Sequence, residues 1–156
     1  MLLKGVYTME RITQTMGKVW AEVELFNSVD EANVKEGKLP AEGIRKTQVR
    51  ALVDSGATML VLSPESIKAL GLNLTRTAQT RFADGKIHDR NIFGPVKVKV
   101  FKRTMQAEAL EGMPGMPALL GQIPLEALDL LIDAHNQCLI LNPLSPHPEM
   151  ALVDVF

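Results

Sequence analysis

Short apolar or alternating runs, broken every few residues by turn formers, constrain this chain more than any other feature of it. Val-Trp-Ala-Glu-Val-Glu-Leu-Phe (Val19–Phe26) alternates in its second half, and Val96-Lys97-Val98-Lys99-Val100 alternates throughout. A period of two marks a strand with one dry and one wet face. Lys46–Val53 reads as a strand that becomes wholly apolar at its end, and Met59-Leu60-Val61-Leu62 follows closely. Leu72–Phe82 and Met105–Leu110 have strand composition, and Ala118-Leu119-Leu120 is a short apolar strand ending in Gly121. Leu130–Asp133 and Cys138–Leu141 predict a final hairpin, closed by Asn142-Pro143. Asp84-Gly85 is the signal of a tight hairpin turn.

Helical signals are few. Ser63-Pro64-Glu65 offers a hydroxyl cap, a proline at the first helical position and an acid in the first turn, with Gly71 as the stop. Pro124–Leu128 fits one helical turn. Asn27–Gly43, polar and rich in Glu, Lys and Gly, reads as a long surface connection. The pattern predicts a mainly β, closed barrel-like domain with one or two short helices.

A length of 156 residues implies one domain able to bury its own core. We divide it into an N-terminal extension (1–17), the folded domain (18–145) and a C-terminal segment (146–156). Seventeen basic and 18 acidic residues leave a net charge of −1, which gives no reason to expect nucleic acid or an anionic membrane as partner. No run approaches the ~20 apolar residues of a membrane span. The N-terminus lacks the sustained apolar stretch of a signal peptide, so a cytoplasmic location is expected. Cys138 is the one cysteine, which rules out an intramolecular disulfide and a thiolate-rich zinc site. His88, His135 and His147 match no metal-ligand spacing, so neither metal nor cofactor is expected.

The informative motif is Asp54-Ser55-Gly56-Ala57, directly after the apolar Ala51-Leu52-Val53. A carboxylate leaving a buried strand is costly unless it is hydrogen-bonded or kept partly protonated. Gly56 permits close backbone approach, and Ser55 supplies a hydroxyl. Such parts aim an acid into a cleft. A polar turn in which Asp54 caps local amides uses the same residues.

Leu52-Val53-Asp54-Ser55-Gly56-Ala57-Thr58 resembles the active-site signature of aspartic proteases, in particular the single-lobe, retropepsin-like branch and its bacterial relatives. Ala118-Leu119-Leu120-Gly121 resembles a second element of that family, and the resemblance covers roughly residues 46–143. It implies an acid-protease lobe in which Asp54 is the catalytic carboxylate and Gly121 packs beside its loop. Ser55 would hydrogen-bond to the opposite loop of a homodimer, and Gly56 would contact substrate backbone. Ala57, Thr58 and the flap residues Phe82, Ala83, Asp84 and Gly85 would complete substrate binding. The chain holds one Asp-Ser-Gly, so the dyad needs a second copy, and the expected partners are that copy and a peptide or protein substrate. A non-catalytic dimeric peptide-binding or scaffold domain of the same fold is the alternative.

Some residues depart from the retroviral pattern. Thr58 stands where those enzymes carry aspartate, Gln122-Ile123 replaces Arg followed by Asn or Asp, and the flap tip has one glycine. Met150–Phe156 is apolar enough to be a dimer strand or to pack on its own subunit. Elsewhere, Trp20 is expected in the core, Cys138 as a buried structural thiol, and His135 in a solvated turn. His88 is expected on the surface of the flap. Met113 and Met116 are expected to fill the core, with lining of a peptide cleft as the alternative.

Overall fold

A computed structural model describes residues 18–155; the N-terminal extension expected over residues 1–17, and Phe156, lie outside the described residues. β1 (Val19–Asn27) shows how alternation builds the interior: Val19, Ala21, Val23 and Leu25 are buried, whereas Glu22 and Glu24 are exposed. Register, not size, decides which side chains enter. Trp20 belongs to the outward set. It is half-buried, with the Arg50 guanidinium carbon 4.9 Å from its ring centroid, and this corrects its expected place in the core.

The remaining strands overlap the predicted runs, but β5 begins at Ile87, well before the predicted Val96–Val100. β2 is Lys46–Val53, β3 Leu60–Leu62, β4 Asn73–Arg81, β5 Ile87–Val100, β6 Arg103–Glu111 and β7 Ala118–Leu120. They form one sheet in the order β1-β2-β7-β3-β6-β5-β4, and β5 also pairs back onto β1. The circuit β1-β2-β7-β3-β6-β5 is therefore a closed barrel, with β4 attached outside it through β5. The closing contacts are short: β1 meets β5 over Glu24–Asn27, and β2 meets β7 over Ala51–Val53. β8 (Leu130–Asp133) and β9 (Cys138–Leu141) form the predicted hairpin as a separate sheet. In β5, Val96, Val98 and Val100 enter the core while Lys97 and Lys99 face outward. Cys138 is half-buried, short of the full burial expected for it.

Three short α-helices lie among the described residues. α2 (Pro64–Leu70) has the predicted caps: Ser63 accepts the Ser66 amide at 3.2 Å, and Gly71 adopts φ 60°. α3 (Gln122–Ala127) follows β7. α1 (Ser28–Lys35) replaces part of the expected surface connection. It lacks an apolar stripe because polar contacts anchor it. Asn27 caps it by accepting the Asp30 amide at 3.0 Å and donates to Leu70 O at 2.8 Å. Asp30, buried, accepts from Arg45 through the backbone amide (2.9 Å), Nε (2.8 Å) and Nη2 (2.9 Å).

The Arg45 side-chain hydrogen bonds hold the Asp30 carboxyl below its ordinary range, against the opposing effect of burial. A lowered folded-state pKa contributes stability that is fully present above the unfolded value, about 3.9. That contribution is lost as pH falls through the folded value. Thermal melts of wild type and Asp30→Asn should therefore differ most at neutral pH and converge in strong acid. A gap that stays constant into acid would remove the carboxylate from the account.

Arg103, 1% exposed, ties the C-terminal segment to the barrel. It donates to the carbonyls of Leu128 (2.9 Å), Asp129 (2.8 Å), Ser145 and His147 (2.7 Å). Residues 146–155 form no strand within the subunit, and Leu152, Val153 and Val155 are exposed. None of the described helices is long and apolar enough to cross a membrane.

Candidate active site

β2 delivers its last residue, Val53, into the core and releases Asp54 at the barrel's end, half-buried. The loop that follows is held by backbone. Asp54 N donates to Leu120 O at 3.0 Å, Ala57 N to Asp54 O at 3.1 Å, Gln122 N to Ala57 O at 2.8 Å and Ile123 N to Thr58 O at 2.9 Å. β7 and the start of α3 thus clamp the loop on one side, while the parallel pairing of β2 with β7 sets its root.

Gly121 is where the clamp is tightest. A Cβ placed there would lie 2.3 Å from Met59 O, 2.7 Å from Ala57 O and 2.9 Å from Met59 N. All three are backbone atoms, so the loop can approach β7 this closely only opposite glycine.

The carboxylate itself is oriented. Asp54 Oδ1 accepts the Gly56 amide at 2.9 Å. Oδ2 accepts no hydrogen bond, and no cation pairs with Asp54, among the described residues. One oxygen is therefore fixed and the other is free to take or give a proton, which is what a general acid or base needs. The Gly56 bond is also the local amide capping that the bland reading of the motif required, so capping and presentation of the acid coexist.

Ser55 is exposed, and its hydroxyl has no partner within the described subunit. It borders an open depression of about 600 Å³ shared with Gln122, Glu126, Ile132, Leu152 and Val153. Thr58 faces a different depression, about 530 Å³, lined also by Met59, Pro95, Met105 and Ile123. The loop thus separates two surfaces. Three or more His, Cys, Asp or Glu side chains grouped to hold a metal do not occur among the described residues.

Phe82, Ala83, Asp84 and Gly85 form the exposed turn between β4 and β5. Its hydrogen bonds are internal: Phe82 N to Lys86 O (3.0 Å), Gly85 N to Phe82 O (2.9 Å) and Lys86 N to Asp84 Oδ1 (2.9 Å). Gly85 has φ 82°, the left-handed geometry such a turn needs. Asp54, Ser55, Gly56, Ala57, Thr58 and Gly121 are thus brought together. No hydrogen bond joins the turn residues to them within the described subunit.

The sequence reading missed Arg90. It is half-buried on β5, its guanidinium carbon 5.4 Å from the Phe82 ring centroid, and its Nη2 donates to Met113 Sδ at 2.8 Å. His88 packs edge-on against the same ring at 5.0 Å. Met113 and Met116 are exposed, 47% and 40%, which corrects the expectation that they fill the core. The available signal was register. The Asp-Gly turn fixes the hairpin pairing, and period two then puts His88 and Arg90 on the face of buried Ile92.

The sequence pattern of the family described as gag-polyprotein putative aspartyl protease matches residues 43–126, more than half of the chain. The chain belongs to this family. The matched stretch of this aspartyl protease family member runs from just before β2 into α3, so it contains the Asp54 loop, the hairpin and Gly121. Among solved structures, the solution structure of the simian foamy virus (mac) protease is similar at 22% identity, with a TM-score of 0.43, over 68% of this chain and 90% of that one. No curated protein matches the sequence.

Proposed function

We propose that two copies of this chain form an aspartic endopeptidase, each supplying Asp54 to a dyad on the two-fold axis. The carrying observation is a single carboxylate per subunit, fixed through Oδ1, free at Oδ2, on a loop whose next residue is exposed and unpartnered. Two carboxylates about 3 Å apart cannot both ionise, so the pair shares one proton and titrates as a unit. The ionised member removes a proton from water, which attacks the peptide carbonyl carbon. The protonated member donates to the carbonyl oxygen. Collapse of the tetrahedral intermediate returns a proton to the departing amine. Two carboxylates and a water suffice, without metal or cofactor.

In this reading Ser55 bonds across the interface to the opposite loop, and Gly56 presents backbone to the substrate. Ala57, Thr58 and the Phe82–Gly85 turn contact the bound peptide. The cytoplasm is the compartment proposed for it. A dimeric scaffold would keep the same barrel. The free Oδ2 favours the enzyme, because a binding module has no use for an unpartnered acid there.

Mixing wild-type and Asp54→Asn subunits tests the stoichiometry. If each site needs two Asp54 residues and subunits exchange freely, an equal mixture should retain about one quarter of the wild-type activity. Retention of one half would mean that each chain acts alone.

A further inference from the structure

We propose that Arg90 makes the cleft selective for peptides carrying an acidic side chain next to the scissile bond; this rests on the endopeptidase reading and adds a substrate class to it. β4 and β5 pair in continuous register from Arg76↔Ile92 to Arg81↔Ile87, with Ala78 opposite Arg90 and Thr80 opposite His88. Ile92, two residues from Arg90, is 1% exposed. Arg90 and His88 therefore lie on the inward face of the hairpin, and Asp89 lies on the opposite face.

What lies opposite Arg90 is the loop that leads into β7. Met113, its contact, precedes Ala118, which pairs with Ala51, and Leu120 O receives the Asp54 amide. The Arg90–Met113 contact thus joins the hairpin to the Met113–Pro117 loop, which leads into the strand that braces the Asp54 loop.

A guanidinium carries five donors in a planar fork. Among the described residues a single one meets an acceptor, the thioether sulfur of Met113, which is a weak acceptor. The ring face of Phe82 stacks against the cation, leaving its edge for other partners. No carboxylate pairs with Arg90 among the described residues, and Asp84, in the neighbouring turn, is engaged by the Lys86 amide. A half-buried, stacked and under-partnered arginine is pre-oriented for a carboxylate, with which it can make two parallel hydrogen bonds. Two-fold symmetry would repeat this subsite on both sides of the scissile bond.

The test uses the full chain and matched peptides that differ by Glu, Gln or Lys at the positions flanking the cleaved bond. Wild type should cleave the Glu peptides with a kcat/KM about tenfold or more above the Gln peptides, the scale of one charge-assisted contact. In Arg90→Gln the Glu-to-Gln ratio should fall to about one, and Arg90→Glu should shift the preference to Lys. Cleavage by wild type without a Glu preference, or a preference that survives Arg90→Gln, overturns the proposal and leaves the endopeptidase reading intact. If no peptide is cleaved, the endopeptidase reading fails, and binding of the same peptides by fluorescence anisotropy decides the role of Arg90. Equal binding of Glu and Gln peptides then overturns it. Unchanged melting temperatures check that the variants fold.

Discussion

Asp54→Asn is expected to lower peptide cleavage by about 1,000-fold or more, the scale of losing general acid–base catalysis, with little change in stability. The two effects separate because the two oxygens have different tasks. Oδ1 accepts the Gly56 amide at 2.9 Å, and the carbonyl oxygen of an amide side chain can accept it equally well. Oδ2 has no partner among the described residues, so replacing it should cost the fold little. It does remove the atom that, in the proposed mechanism, exchanges a proton with water. The proposed dyad needs one carboxylate ionised and the other protonated, so wild-type activity should also show a bell-shaped pH profile. Measuring kcat/KM and the melting temperature together checks both halves. Equal cleavage by the two proteins would remove Asp54 from the chemistry, and a collapsed melting temperature would make its role structural.

Gly121→Ala carries the largest expected effect on stability. The added methyl would sit 2.3 Å from Met59 O and 2.7 Å from Ala57 O. Neither atom can rotate away, so the Asp54 loop or β7 must move. Overpacking typically costs 1–3 kcal/mol, and with only backbone to yield we expect about 3 kcal/mol or more. In a chain of this size that lowers the melting temperature by roughly 6–12 °C. Activity should fall further than stability alone explains, because the displaced segment carries the hydrogen bonds that hold the Asp54 loop. Gly85→Ala is the comparison. Gly85 also needs its glycine, at φ 82°, but open space surrounds it. Its cost should be about 1 kcal/mol, from backbone strain alone. Equal losses at the two positions would mean that close approach to the loop is not what Gly121 provides.

Much of this was readable along the chain. The alternation of Val96–Val100 put three valines into the core and two lysines outside it. The Ser63-Pro64-Glu65 cap and the Gly71 stop bounded α2 as predicted. The proximity of Gly121 to the Asp54 loop came from family resemblance, and the 2.3 Å approach supplies its physical reason. Three features were not readable, for different reasons. α1 has no apolar stripe because Asp30 and Asn27 anchor it through partners 15 and 43 residues away. Trp20 faces outward because register outweighs bulk. Arg103 sits at the head of β6, and its carbonyl partners come from segments 25 to 44 residues downstream.

The sequence alone determined the local elements and the single Asp54-Ser55-Gly56, because strand alternation, caps and turns depend on neighbours a few residues apart. That count is what the proposed two-copy dyad starts from. Tertiary structure decided how the acid is held. Backbone from β7 and α3 clamps the loop, Gly56 takes one oxygen of Asp54, and the other has no partner among the described residues. It also decided that Arg90 faces inward against Phe82 and Met113. Those relations join residues far apart in the chain, and closure of the barrel is what sets their distances.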